Sequence, residues 1–183
     1  MATLHGVSLV ESPHPEPPWT RRLPLQEWGR PAAYHARAMG TVVSLQVIPG
    51  NHAPPSFVDR VRAIPGEGLE GDWHRGRGAR SVLLMHVGDL EDLGVKPGDL
   101  REQITVDLPG LMKLAPGTRL SVGPAVLEIT QECIGCTHIG EHVGVDDAEA
   151  FRVALEGRRG MLARVVEADG DPIRLGDEVE VLG

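Results

Sequence analysis

From residue 41 onward, apolar and polar positions alternate in short runs broken by glycine and proline, the pattern of a β protein. Residues 41–48 are β-branched and partly alternating, and the run stops at Pro49-Gly50. Residues 58–64 set apolar side chains against Asp59, Arg60 and Arg62. Residues 81–87 are almost continuously apolar, as in a buried strand. Residues 104–106 predict another short strand, and 118–122 with 125–130 predict a hairpin around Gly123-Pro124. Two closing strands are predicted at 161–167 and 178–182, separated by the turn Asp169-Gly170-Asp171-Pro172. Helical signals are fewer. Residues 89–93 could form a short helix ended by Gly94, and 109–114 one helical turn. Residues 146–155 predict a helix with Asp146 as N-cap, Glu149 three positions on and Gly157 beyond the end. About eight short strands with one or two short helices make a mainly β, barrel-like fold the natural architecture.

Residues 1–38 break the pattern. They carry Pro13, Pro15, Pro17, Pro18, Pro24 and Pro31 and no clear period, which predicts a loosely ordered extension or one lying over the surface. Met39-Gly40 directly precedes the first strand and is a candidate alternative start, so the domain is set at residues 39–183. A partner-binding arm is the functional reading of the extension; a dispensable leader is the favoured one.

Composition narrows the function classes. The 183 residues suit one domain with a core that needs no disulfide staples. Lys plus Arg is 18 against 26 for Asp plus Glu, a net charge of −8, which lacks the electrostatics of a nucleic-acid binder or of a protein docking on an anionic membrane. No apolar run approaches the roughly 18 residues of a membrane span. The first residues show no secretory pattern, and the two cysteines, Cys133 and Cys136, make no disulfide scaffold. A cytoplasmic protein is expected.

Four motifs could carry chemistry. Residues 66–71 read GEGLEG and match a dinucleotide fingerprint, but the following Asp72-Trp73-His74-Arg75-Gly76-Arg77-Gly78 is too glycine-rich for the helix that fingerprint requires. An open loop offering Asp72, His74, Arg75, Arg77 and Arg80 to a ligand fits better, with a solvated loop as the bland alternative. His138 and His142 fall in an HxxEH pattern that needs a helix, which Gly135, Gly140 and Gly144 disfavour. Cys133 and Cys136 lie too close to the two histidines for a usual zinc knuckle and lack the βαβ context of a thioredoxin pair. What is left is one reactive thiol in a polar pocket, or a buried inert cysteine. Gly157-Arg158-Arg159-Gly160 suits a phosphate, or is a charged turn.

Six runs taken in order resemble one family. They are GLEGDWHRG at 68–76, RSVLLMH at 80–86, PGDLREQIT at 97–105, LAPGTRLSVGPAVLEITQECIGC at 114–136, RRGMLARVV at 158–166 and LGDEVEVL at 175–182. They resemble the MOSC domain, named for the C-terminal domain of molybdenum cofactor sulfurases. The resemblance implies a barrel similar to that of pyruvate kinase, with a pocket around one cysteine near a strand end. Cys136 matches that cysteine by its place after LEITQ, with Cys133 accessory; Gly135 stands where the family commonly has proline, and Glu102-Gln103 where it has Glu-Asn. The resemblance further implies molybdenum cofactor (molybdopterin) binding, or carriage of its sulfur. Cys136 would be the catalytic thiol and metal ligand. Arg80, Arg101 and Arg159 would hold the phosphate or the polar edge of the pterin, and Asp72, His74, Gln103 and Thr105 would complete the cofactor site. A cysteine desulfurase or an electron-donor protein is the expected partner. Relatives fused to a desulfurase domain use pyridoxal phosphate there, and 183 residues leave no room for that domain. Alternatives are a molybdenum-dependent reductase of N-hydroxylated compounds with a separate electron donor, or a non-enzymatic barrel that binds a small ligand.

Overall fold

Period-two burial organises the chain. In the computed structural model, which describes residues 39–182, the first strand β1 (Met39–Val47) turns Val42 and Leu45 inward. The extension at 1–38 lies outside the described residues. β2 (Ser56–Phe57), β3 (Arg60–Ile64) and β4 (Gly68–Leu69) follow. β5 (Val82–His86) runs into helix α1 (Val87–Leu93), and β6 (Ile104–Asp107) comes next. The hairpin β7 (Arg119–Val122) and β8 (Ala125–Glu132) leads to helices α2 (Thr137–Val143) and α3 (Ala148–Ala154). β9 (Met161–Ala168), β10 (Pro172–Arg174) and β11 (Glu178–Leu182) complete the chain.

Seven of these strands close a barrel in the order β11-β7-β8-β9-β5-β6-β1, and β1 pairs with β11 to seal it. All neighbours are antiparallel except β5 and β6. Closure leaves no long edge open within the barrel. The interior is apolar, with Leu84, Ile104, Leu120, Leu127, Ala163 and Val179 among its buried members. A second sheet, β10-β3-β4, buries Val61, Ala63 and Ile173 into the same core and leaves Arg60, Arg62 and Arg174 exposed. A smaller core joins Met85 of β5 and Leu90 of α1 to Leu100, Ile139 of α2 and Leu155.

The predicted strands and turns recur with small shifts, and the extra strands β2, β4 and β10 are only two or three residues long. The helices depart more. Three form among the described residues, not one or two. α2 occupies the run whose glycines argue against it. Tertiary packing supplies the reason: a Cβ at Gly140 would lie 2.9 Å from Ala148 Cα, so the missing side chain is what lets α3 approach. Gly144, at φ 82°, then ends α2 in the left-handed conformation. His138 and His142 on this helix are both exposed, and the described residues hold no group of three metal-ligating side chains. The N-cap of α3 is Asp147, not Asp146, its carboxylate accepting from Ala150 N–H at 2.9 Å. No helix among the described residues is long and apolar enough to cross a membrane.

One turn is constrained twice. Gly160 precedes β9 at φ 90°, and a Cβ there would lie 2.3 Å from Leu84 O and 2.5 Å from Met85 Sδ. Gly157, at φ 69°, has open space around it. Gly160→Ala is expected to cost roughly 3 kcal/mol, combining the positive φ with a forced shift of β5. Gly157→Ala meets only the conformational cost of about 1 kcal/mol. Urea midpoints at unchanged slope would check the difference.

Candidate functional site

The parallel pairing of β5 and β6 starts a chain of polar contacts. Gln103, just before β6, donates its N–H to Leu83 O at 3.1 Å, and its Oε1 accepts from Leu83 N–H at 2.8 Å. That contact fixes the amide, so Nε2 is the end turned to the Asp72 carboxylate, 3.4 Å from each oxygen. Asp72 is buried. Its Oδ2 accepts from Ile48 N–H at 2.8 Å, and its Oδ1 from His74 N–H at 2.7 Å. Burial pushes the Asp72 carboxyl up, but the hydrogen bonds from the His74 ring and from the Ile48 and His74 N–H groups outweigh it and hold it below the ordinary 3.8. An ionised carboxylate only accepts, so the His74 Nδ1, 2.9 Å away, carries the proton, and Gln103 Nε2, 3.0 Å from the same nitrogen, donates to Asp72 and not to the ring. His74 Nε2 is then the nitrogen left for a ligand.

The loop after His74 is tied down from the opposite side. Thr130 of β8 donates its hydroxyl to Ala79 O at 2.5 Å, and it lies 3.0 Å from Leu162 O of β9. Arg77 stacks over Trp73 with 5.6 Å to the ring centroid. A cavity of about 380 Å³ opens between these segments, and His74, Arg77, Arg80, Leu83, Arg101, Gln103, Cys133, Arg159 and Leu162 line it.

Arg159 is the most buried cation among the described residues. It is only 8% exposed, and its Nη1 has no hydrogen-bond partner among the described residues. A buried guanidinium with an unmade hydrogen bond is costly, which marks it as a place for an anion. Arg101 sits at φ 60° and spends its guanidinium on the 50–53 loop, donating to Asn51 O at 2.8 Å, Ala53 O at 2.9 Å and Gly50 O at 3.4 Å. It borders the cavity as a clamp on that loop.

The thiol in the cavity is Cys133. β8 continues to Glu132, opposite Met161, and Cys133 N–H extends the ladder by donating to Gly160 O at 2.9 Å. That bond places Cys133 across from the turn carrying Arg159.

Residues 74–180, more than half of the chain, match the family model of the MOSC domain. The chain belongs to the MOSC domain family. Its structure is similar to the YuaD protein from Bacillus subtilis at TM-score 0.69 and 23% identity, over 80% of this chain and 97% of that one. It is also similar to YiiM from Escherichia coli at TM-score 0.55 and 17% identity, over 78% and 70% of the two chains. YiiM from Geobacillus stearothermophilus gives TM-score 0.59 and 17% identity, over 79% and 75%. At these identities the likeness is one of fold. No curated protein matches the sequence.

This MOSC domain brings together His74, Arg80, Arg101, Gln103 and Arg159 of the residues expected at the site. Asp72 lies behind them and fixes His74 and Gln103. Thr105 is displaced from the expectation: two residues further along β6, it is fully buried and bonds Glu102 Oε1 at 3.0 Å. Cys136 is displaced as well. It is the exposed N-cap of α2, outside the cavity lining, whereas Cys133 is half-buried and among the lining residues. The cause is local. β8 pairs with β9 as far as Glu132, two residues beyond the expected end at 130, and the Cys133 N–H bond to Gly160 O continues that ladder, whereas Cys136 already begins α2. Arg77 was visible in the Arg-rich loop but not separable there from Arg75, which pairs with Glu67.

A second carboxylate lies deeper. Glu102 Oε1 accepts from Gly98 N–H at 2.6 Å and from the Gln46 amide at 3.4 Å, while Oε2 is buried with no partner among the described residues. Burial pushes this carboxyl above its usual range, against the smaller opposing pull of hydrogen bonds from the Gly98 and Glu102 N–H groups and the Thr105 hydroxyl, and of the Arg159 charge.

The two acids predict opposite pH behaviour. The stability that Asp72 contributes is present above the unfolded value near 3.8 and is lost as pH falls through its lower folded value. Asp72→Asn is therefore expected to cost about 2–4 kcal/mol near neutral pH, with the deficit shrinking as pH falls below the unfolded value near 3.8. Glu102 has the reverse sign, its contribution being lost as pH rises toward the raised folded value. Glu102→Gln should gain on the wild type as pH rises. Denaturation curves at acid and neutral pH would check both.

Proposed function

We propose that this MOSC domain binds the molybdenum cofactor in the His74–Arg159 cavity, with Cys133 as the thiol that meets the metal. The observation that carries the reading is the buried Arg159, its Nη1 unpartnered, in the same cavity as a half-buried cysteine. Cations and a thiol side by side suit a ligand that joins a phosphate to a soft metal centre. When bound, the cofactor would supply a molybdenum centre able to change oxidation state and to hold terminal oxygen or sulfur.

The chain's own residues do the rest. Arg159 and Arg80 would bind the phosphate through guanidinium hydrogen bonds, and Arg77 would add charge at the rim. Gln103 is fixed by Leu83 and Asp72, and it would orient the polar edge of the pterin. His74, its Nδ1 proton held by Asp72, would present Nε2 as an acceptor. Leu83 and Leu162 would exclude water from the inner wall. Cys133 is held by its backbone bond to Gly160 rather than by its side chain, which leaves the sulfur free for the metal.

Molybdenum and pterin content per chain would test this, after expression in a host that makes the cofactor. Wild type is expected to carry both near one per chain. Cys133→Ser should lose the metal and Cys136→Ser should keep it. Arg159→Met should lower pterin retention by about tenfold or more. Absence of both from the wild type, or full retention in Cys133→Ser, would overturn the reading.

A further inference from the structure

A second basic cavity lies away from the cysteine, on the outer face of the small sheet. β3 and β10 pair with Arg60 directly opposite Arg174 and Arg62 opposite Pro172. Arg60 and Arg62 are two positions apart on one strand, so all three arginines share a face. Val61 and Ile173 on the reverse face are buried in the core, which leaves the arginines no choice of side.

Like charges directly opposite in an antiparallel pair are destabilising unless something neutralises them. Among the described residues no ion pair does, although Glu70 borders the same cavity. Arg75, Arg119, Arg152 and Arg164 each hold a carboxylate. Among the described residues no side-chain hydrogen bond or ion pair engages Arg60, Arg62 or Arg174, although the whole chain carries a net charge of −8. The three guanidiniums border a cavity of about 480 Å³, together with Val47, Val58 and Pro172 as apolar wall and Glu70 as a single acceptor. That volume is within the range of small-molecule sites.

We propose that this cavity binds a diphosphate-bearing small molecule. Opposite residues in a sheet are about 5 Å apart and diagonal ones about 7–8 Å, so the Arg60–Arg174 pair and Arg62 can share the oxygens of two linked phosphates. The apolar wall accommodates a ring, and Glu70 accepts from a hydroxyl or amine on the rest of the ligand. The site is separate from the cysteine cavity, because the two share no lining residue.

Titration calorimetry at low salt, with inorganic pyrophosphate and adenosine diphosphate as probes, tests this. Wild type should bind both, and the affinity should fall as salt is raised. Arg60→Gln with Arg174→Gln should weaken binding about tenfold or more. Arg119→Gln with Arg164→Gln should leave it unchanged, since those residues line neither cavity. Binding that survives the first pair, or that the second pair abolishes, would overturn the proposal, as would absence of binding to either probe. Thermal midpoints without ligand give an independent readout. The Arg60/Arg174 double variant should melt no lower than wild type, because it removes a repulsion; a lower midpoint would mean that the arginines already have partners, and would overturn the proposal as well.

Discussion

A buried carboxylate holds the cysteine cavity together. Asp72 lies in an irregular stretch between β4 and β5, where no sheet ladder fixes the backbone. It gathers donors from three separated pieces of chain: the N–H of Ile48 just past β1, the backbone and ring of His74, and the amide of Gln103 before β6. An ionised group removed from water costs heavily unless such donors surround it. Here they do, and the same contacts set the tautomer of His74 and the direction of the Gln103 amide. The shape of the site therefore follows from satisfying one buried charge.

The barrel provides the rigid frame on which that charge can act. β8 and β9 run side by side to the cavity, and the bond from Cys133 N–H to Gly160 O is the last rung of their ladder. Gly160 can make the turn only because it lacks a side chain. Arg159, one residue earlier, is carried inward with it. A thiol on one strand end and a guanidinium on the opposing turn are thus neighbours by register.

Charge is distributed unevenly over this acidic protein. Several surface arginines are neutralised by carboxylates within helices or across the sheet. Among the described residues, the arginines lining the cysteine cavity and the Arg60-Arg62-Arg174 face of the small sheet form no such ion pair. Both border concave surface, where unneutralised charge is most useful for holding an anion.

Runs at residues 41–48, 104–106, 125–130, 161–167 and 178–182 were legible as strands because alternation is a local property that burial on one face imposes, and 81–87 because a short continuous apolar run marks a strand buried on both faces. The barrel class followed from their number and from the glycine and proline between them. The ordered motifs carried the family, and with it His74, Arg80, Arg101, Gln103 and Arg159. Other features depended on contacts between distant residues. α2 forms because Gly140 meets Ala148, which outweighs the poor helix propensity of its glycines. Thr105 left the site because depth along a strand, rather than residue type, decides which side chain reaches a cavity. Cys133 rather than Cys136 lines the cavity because its N–H continues the β8–β9 ladder onto Gly160, whereas Cys136 already begins α2. Local periodicity and composition thus determined the elements and the chemistry available. Register, which exists only once two strands have met, decided which thiol and which arginines share a pocket.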